Sequence, residues 1–157
     1  MIRRVLPPAG LLALVLSACS DLGPTGEGLA AEIAAHRALW EERRPSAYVY
    51  EVERVCFCPV EARGPVQVRV RGAQVLARAY VATGAPVSGE LERLFPGVEG
   101  LFDVLEDAVA RNADQIRVEW DPKSGAPLDL WIDYDGTTAD EEQGFRIVAE
   151  PRPDPAS

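Results

Sequence analysis

The chain has 157 residues, enough for one domain of ordinary size and no more. Its apolar fraction of 47% and charged fraction of 26% are those of a globular chain, which sets intrinsic disorder aside. A net charge of −9 repels phosphate backbones and anionic headgroups, so nucleic acid is not expected as a partner and the domain should stand off a bilayer surface.

Met1-Ile2-Arg3-Arg4 is a short cationic start, followed by an uncharged apolar run from Val5 to Val15 and the small residues of Leu16-Ser17-Ala18 before Cys19. That layout is a secretory leader, too short to span a bilayer as a mature helix. Residues 1–18 are therefore expected to be a signal peptide. Leu-Ser-Ala-Cys resembles a bacterial lipobox, which implies a diacylglycerol thioether on Cys19 and cleavage just before it. Two or three acyl chains hold far better than one, so such a tether is durable. Ser20, rather than aspartate, after the cysteine points to the periplasmic face of the outer membrane or the cell surface. Residues 19–28, with Gly23, Pro24, Gly26 and Gly28, have linker chemistry.

From Leu29 to Arg44 the spacing predicts a helix, because Leu29, Ile33, His36 and Trp40 fall on one face and Pro45 stops it. A β stretch follows, with Tyr48, Tyr50, Val52, Cys56 and Cys58 sharing a parity that Arg54 interrupts. Val66, Val68 and Val70 alternate with Gln67, Arg69 and Arg71. Gly72-Ala73 turns the chain, and Val75, Ala77 and Ala79 carry the return strand. Residues 83–97 read as a loop. Leu101, Phe102, Leu105, Ala108, Val109 and Asn112 form the stripe of a second helix. Ile116, Val118 and Trp120, then Leu128, Leu130 and Ile132, make two more strands around the turn Asp121–Gly125. Phe145 and Ile147 begin the last strand, and residues 151–157 read as a disordered, proline-rich tail.

The order α-βββ-α-βββ with short connections predicts antiparallel neighbours. Residues 29–150 are thus expected to form one two-layer α+β domain, a sheet of about six strands with helices on one face and water on the other.

Cys56-Phe57-Cys58-Pro59 is the most distinctive local feature. In an exported chain Cys56 and Cys58 are a candidate disulfide or redox pair. On a regular strand, residues i and i+2 have Cα atoms about 6.5 Å apart, near the upper limit for a bridge, so a bond requires a bend. Two packed thiols, or a soft-metal site such as one for Cu(I), are the other readings of the same pair. His36 is the only histidine and reads as a packed helix residue, too few for a hydrolytic triad. Asp133, Asp135, Asp140, Glu141 and Glu142 concentrate carboxylates in one stretch, a candidate acidic ligand loop for calcium whose spacing does not fit an EF-hand. An ordinary acidic hairpin loop is the simpler reading. No catalytic set and no cofactor is implied.

Beyond these patterns, the run of Trp40, Tyr48-Val49-Tyr50-Glu51-Val52, Cys56-Phe57-Cys58-Pro59, Gly64-Pro65-Val66, Val70 and Gly72 resembles the bacterial domain-of-unknown-function family DUF6174. Gly100-Leu101-Phe102-Asp103, Trp120-Asp121-Pro122, Gly125, Pro127, Ile132-Asp133-Tyr134 and Asp140-Glu141 extend the likeness. Ala73 stands where a second turn glycine is common and Ala126 where an aromatic residue often lies. The resemblance implies a small exported or lipid-anchored domain and no activity. The strand and helix order is also similar to periplasmic PepSY and β-lactamase-inhibitor-like folds, which bind proteins without catalysis, by analogy of pattern alone. The expectation is a monomeric, membrane-anchored lipoprotein that binds or inhibits an envelope protein and meets the membrane through its lipid only. A thiol redox or metal-handling protein using Cys56 and Cys58 is the alternative.

Overall fold

The computed structural model of the chain describes residues 26–138 and 142–156. The expected leader and Cys19 therefore lie outside the described residues, as do Asp140 and Glu141 in the acidic stretch. Helix α1 spans Gly26–Arg43, so the helix starts inside the stretch expected to be linker. Strand β1 is Ala47–Val55, β2 is Val66–Arg71, β3 is Gln74–Tyr80, helix α2 is Val98–Ala110, β4 is Gln115–Trp120, β5 is Pro127–Asp133 and β6 is Gln143–Pro153. They build one six-stranded sheet in the order β3-β2-β1-β6-β5-β4, antiparallel at every pairing. This is the α+β class, one sheet with helices against it. Among the described residues no helix is long and apolar enough to cross a membrane.

The alternation of side chains decides the faces. Tyr48, Tyr50, Val52, Val66, Val68 and Val70 are all fully buried on the inner face, with Leu130 and Ile132 from β5. Ile33 and Trp40 of α1 and Leu101, Phe102, Leu105 and Ala108 of α2 close the core over them. Fully burying side chains of this size stabilises by about 1.5–3 kcal/mol each relative to exposure. α2 ends by a Schellman motif: Asn112 sits at φ 55 and donates to the Val109 carbonyl at 3.0 Å, and Ala113 donates to the Ala108 carbonyl at 3.0 Å. Asn112 is thus the helix stop and not, as its position in the stripe suggested, part of the buried face.

Four other expectations are corrected. β1 stops at Val55, so the cysteines lie beyond the strand in a bend. The return strand changes parity at a bulge beside Arg69 and Val70, which sets Arg78 opposite Val68 and leaves Ala77 exposed. Arg78 is tolerated on the inner side because its Nε donates to the Phe95 carbonyl at 2.6 Å. Residues 83–97 are not merely a loop: Gly89–Leu94 is a 3-10 helix, and Val87 and Phe95 are core residues. Finally, residues 151–153 belong to β6, and Asp154 is buried, its N–H bonded to the Ala47 carbonyl at 3.1 Å and its carboxylate to Arg69 at 2.9 Å. A proline-rich end reads as tail because proline breaks ladders, yet Pro153 pairs opposite Tyr48 at the end of a strand, where a missing N–H is cheap.

Candidate functional site

The lower end of the outer sheet face, where β1 leaves the sheet, carries the most unusual surface. After Val55 the chain bends through Cys56-Phe57-Cys58, and the two sulfurs come within bonding distance, their Cα atoms 5.4 Å apart. The bend closes the gap that a regular strand would leave between i and i+2. Pro59 leads into a single 3-10 turn, Val60–Ala62, which is held from three sides. Arg54 donates its backbone N–H to the Arg63 carbonyl at 2.7 Å, Val81 donates to the Pro65 carbonyl at 3.0 Å, and the Tyr80 hydroxyl donates to the Glu61 carbonyl at 2.9 Å. Gly64 closes the excursion at φ +89, where a Cβ would sit 2.9 Å from the Val66 nitrogen.

This scaffold holds three apolar side chains in water. Phe57 is 93% exposed, Val60 61% and Val55 39%. A phenylalanine presented almost bare at the tip of a constrained loop is the kind of apolar exposure that marks contact surfaces. Beside the loop, bordered by Cys56, lies a cleft of about 500 Å³ whose lining includes Arg54, Arg63, Arg146, Val60 and Glu53. Arg146 is neutralised there: its Nε donates to Asp129 at 2.9 Å and its Nη1 to Glu53 at 3.2 Å, which raises its pKa, chiefly through the Asp129 bond. Arg54 differs. Its guanidinium is half-buried over the Phe145 ring at 5.7 Å, with one 3.4 Å bond to the Ala62 carbonyl and no partner for its buried Nε. Burial alone lowers its pKa from the ordinary arginine value. A second depression of about 470 Å³ continues along the sheet past Val55 and Arg146 to Trp131, over which Arg117 stacks at 4.3 Å. Gly144, opposite Trp131, leaves the room for this: a Cβ there would meet the Leu130 carbonyl at 2.8 Å.

The other residues singled out by the sequence lie elsewhere. Asp133 accepts the Asp135 N–H at 3.1 Å, and Asp135 accepts Thr137 N–H at 2.9 Å, Thr137 Oγ1 at 2.6 Å and Thr138 Oγ1 at 2.9 Å. Those bonds, led by the Thr137 hydroxyl, hold the Asp135 carboxyl below the usual carboxylate range. The described acids of the stretch thus turn inward on their own loop, with Glu142 exposed. None of Asp133, Asp135 and Glu142 lines the cleft beside the cysteines. Among the described residues no three His, Cys, Asp or Glu side chains converge as a metal set. His36 stacks on Trp120, ring centroids 4.2 Å apart, as a packed helix residue.

Arg54, Arg63, Arg146 and Trp131 carried no sequence signal as a group, because they come from three separate strands and the turn after Ala62. The one available hint was a phenylalanine caged between two cysteines where a strand pattern fails.

The fold and this surface define a class: a small two-layer α+β domain whose bare sheet face ends in a cysteine-paired, aromatic-tipped loop. The chain belongs to the family of unknown function DUF6174, whose model matches residues 32–149. No curated protein and no solved structure matches the chain.

Proposed function

We propose that the chain is a membrane-anchored bacterial lipoprotein whose folded domain binds or inhibits another protein of the cell envelope without catalysing a reaction. The carrying observation is the leader, Arg3-Arg4, the apolar Val5–Val15 and Leu16-Ser17-Ala18-Cys19, followed by a domain that presents Phe57 to solvent. A durable lipid on Cys19 would confine the domain to one surface, and confinement raises the effective concentration for a neighbouring partner. The helices lie against the other side of the sheet, which leaves the outer face and its apolar tip free for contact. Metabolic labelling with an alkyne fatty acid tests the anchor. Label on the native chain and none on Cys19→Ser is expected; equal labelling of both ends the lipoprotein reading. A photocrosslinking residue at position 57 tests the binding. One recurrent envelope protein, lost when Arg63 is also replaced, is expected, whereas crosslinks to none argue against a partner.

A second reading rests on the sulfurs themselves, which sit at bonding distance in the same exposed loop. A thiol exchange protein would take two electrons and two protons from a dithiol to open such a bond. Alkylation and mass spectrometry across a dithiol redox buffer separate the readings. A pair that stays closed far below about −300 mV is structural and leaves the binding reading in place.

A further inference from the structure

We infer that β4 is a docking edge for a second copy of this chain: two β4 strands pair antiparallel about a two-fold axis at Val118, joining two six-stranded sheets into one. The inference goes beyond the binding reading above and does not rest on it.

The sheet has two edges, and the chain treats them differently. β3 is covered by its own continuation: Ala79 bridges Pro86, the Tyr80 N–H donates to the Ala85 carbonyl at 2.9 Å, and the Val87 N–H donates to the Arg78 carbonyl at 3.0 Å. β4 has no such cover among the described residues. It pairs with β5 on one side, and no backbone bond from Gln115–Trp120 reaches a segment on the other. Alternate N–H and C=O groups of an edge strand point away from the sheet and form a template for another strand. The usual guards are missing as well. Gln115–Trp120 contains neither proline nor lysine, and the register shift in the hairpin puts its extra residue, Leu128, in β5, so β4 stays regular. Ile116 and Val118 face the core side yet are only partly buried, whereas Ile132 and Leu130, opposite them in β5, are fully buried.

The side chains select the occupant. With Val118 opposite Val118 of the second copy, Arg117 stands opposite Glu119 twice on the outer face, and Ile116 opposite Trp120 twice on the inner one. Opposite charges and aromatic–β-branched pairs facing each other across strands are stabilising. Moving the axis one residue either way sets Arg117 on Arg117 or Glu119 on Glu119, so charge fixes the register. Within its own chain Glu119 stands opposite Asp129, a like charge that Arg146 already engages at 2.9 Å. An arginine arriving on the free side offsets that repulsion. Arg117 lies over the Trp131 ring at 4.3 Å, and a stacked guanidinium keeps its in-plane N–H donors for a carboxylate. A strand of another protein must match this alternation by its own sequence. A second copy supplies both ion pairs by symmetry.

The test uses the whole chain in a density-matched non-ionic detergent, read by sedimentation equilibrium. A reversible dimer is expected. Arg117→Glu and Glu119→Arg should each weaken it at least about tenfold, because each turns two attractions into two repulsions. Mixing the two variants should restore association, since an acidic β4 then meets a basic one. The double variant carrying both changes should return to within about threefold of the native chain. Both side chains are exposed, and an unchanged near-ultraviolet spectrum checks that each variant is folded. Alternate amides of β4 should exchange more slowly as concentration rises, while those of β3 do not change. A chain that stays monomeric at millimolar concentration overturns the inference, as does a dimer that the charge reversals leave unmoved or that mixing fails to restore. Protection of residues 57–60 in place of β4 also overturns it. Crosslinking to an envelope protein at position 57 is independent of each of these results, so the two readings fail separately.

Discussion

Glu99 shows how a single residue can join three elements. Its carboxylate accepts Tyr48 Oη at 2.6 Å from β1 and Trp40 Nε1 at 3.1 Å from α1, and pairs with Arg44 at 3.4 Å, while Glu99 itself stands in the first turn of α2. Burial, then the bond to Glu99, pushes the Tyr48 hydroxyl far above the ordinary tyrosine pKa, so it remains a donor at every physiological pH. The same oxygen accepts the buried Val98 N–H at 3.0 Å. Tyr48→Phe leaves that N–H unsatisfied and is expected to cost about 1–3 kcal/mol in urea unfolding. Asp154 supplies the clearest pH effect. The Ala156 N–H, then Arg69, hold its carboxyl below the usual range. A depressed folded-state pKa contributes stability above the unfolded value of about 3.9, and that stability is lost as pH falls through the folded value. The urea midpoint of the native chain should therefore exceed that of Asp154→Asn at pH 7, with the gap closing below about pH 4. A gap that is constant from pH 7 to pH 3 would remove the linkage.

At the scale of elements, the β4–β5 hairpin illustrates why some turns have no freedom. Asp121 accepts the N–H groups of Lys123 and Ser124 at 3.0 Å each, and Gly125 follows at φ +82 directly under α1. A Cβ at Gly125 would lie 2.5 Å from the His36 carbonyl oxygen and 3.0 Å from Leu39 Cβ. Gly125→Ala therefore combines a left-handed backbone with a clash against helix backbone. It should destabilise by at least about 1–3 kcal/mol, measured by thermal unfolding. The periodicities that define the hairpin were legible in the sequence: Ile116, Val118 and Trp120 face Ile132, Leu130 and Pro127 across the ladder. The helix that lies over it could not be placed by periodicity alone. α1 is rich in alanine, with most of its surface in water, and only Ile33 and Trp40 are fully buried.

For the whole molecule the decisive contact is between the chain's first and last strands. β6 lies between β1 and β5, so it joins the three-stranded meander of β1, β2 and β3 to the hairpin of β4 and β5. A chain ending at Glu142 lacks that strand and presents two unpaired edges. It is expected to lose cooperative unfolding and near-ultraviolet dichroism, whereas removal of residues 155–157 alone should leave both intact. A cooperative transition in the shorter chain would show that the two halves hold together through α1 and α2 instead.

Local patterns along the sequence determined the elements, since alternation and helical stripes depend only on neighbours within a few residues. They determined the one-sided sheet and the family resemblance, and they marked Cys56-Phe57-Cys58 as unusual. Tertiary structure decided the rest. Bringing β1 beside β6 set Arg146 next to Glu53, turning the chain at Val55 held Phe57 in water, and folding residues 60–63 against Arg54 bonded its Nη1 to the Ala62 carbonyl while leaving its Nε without a partner. Each depends on residues far apart in the chain or on which backbone groups a bend leaves for bonding, and neither is written in the spacing of one segment.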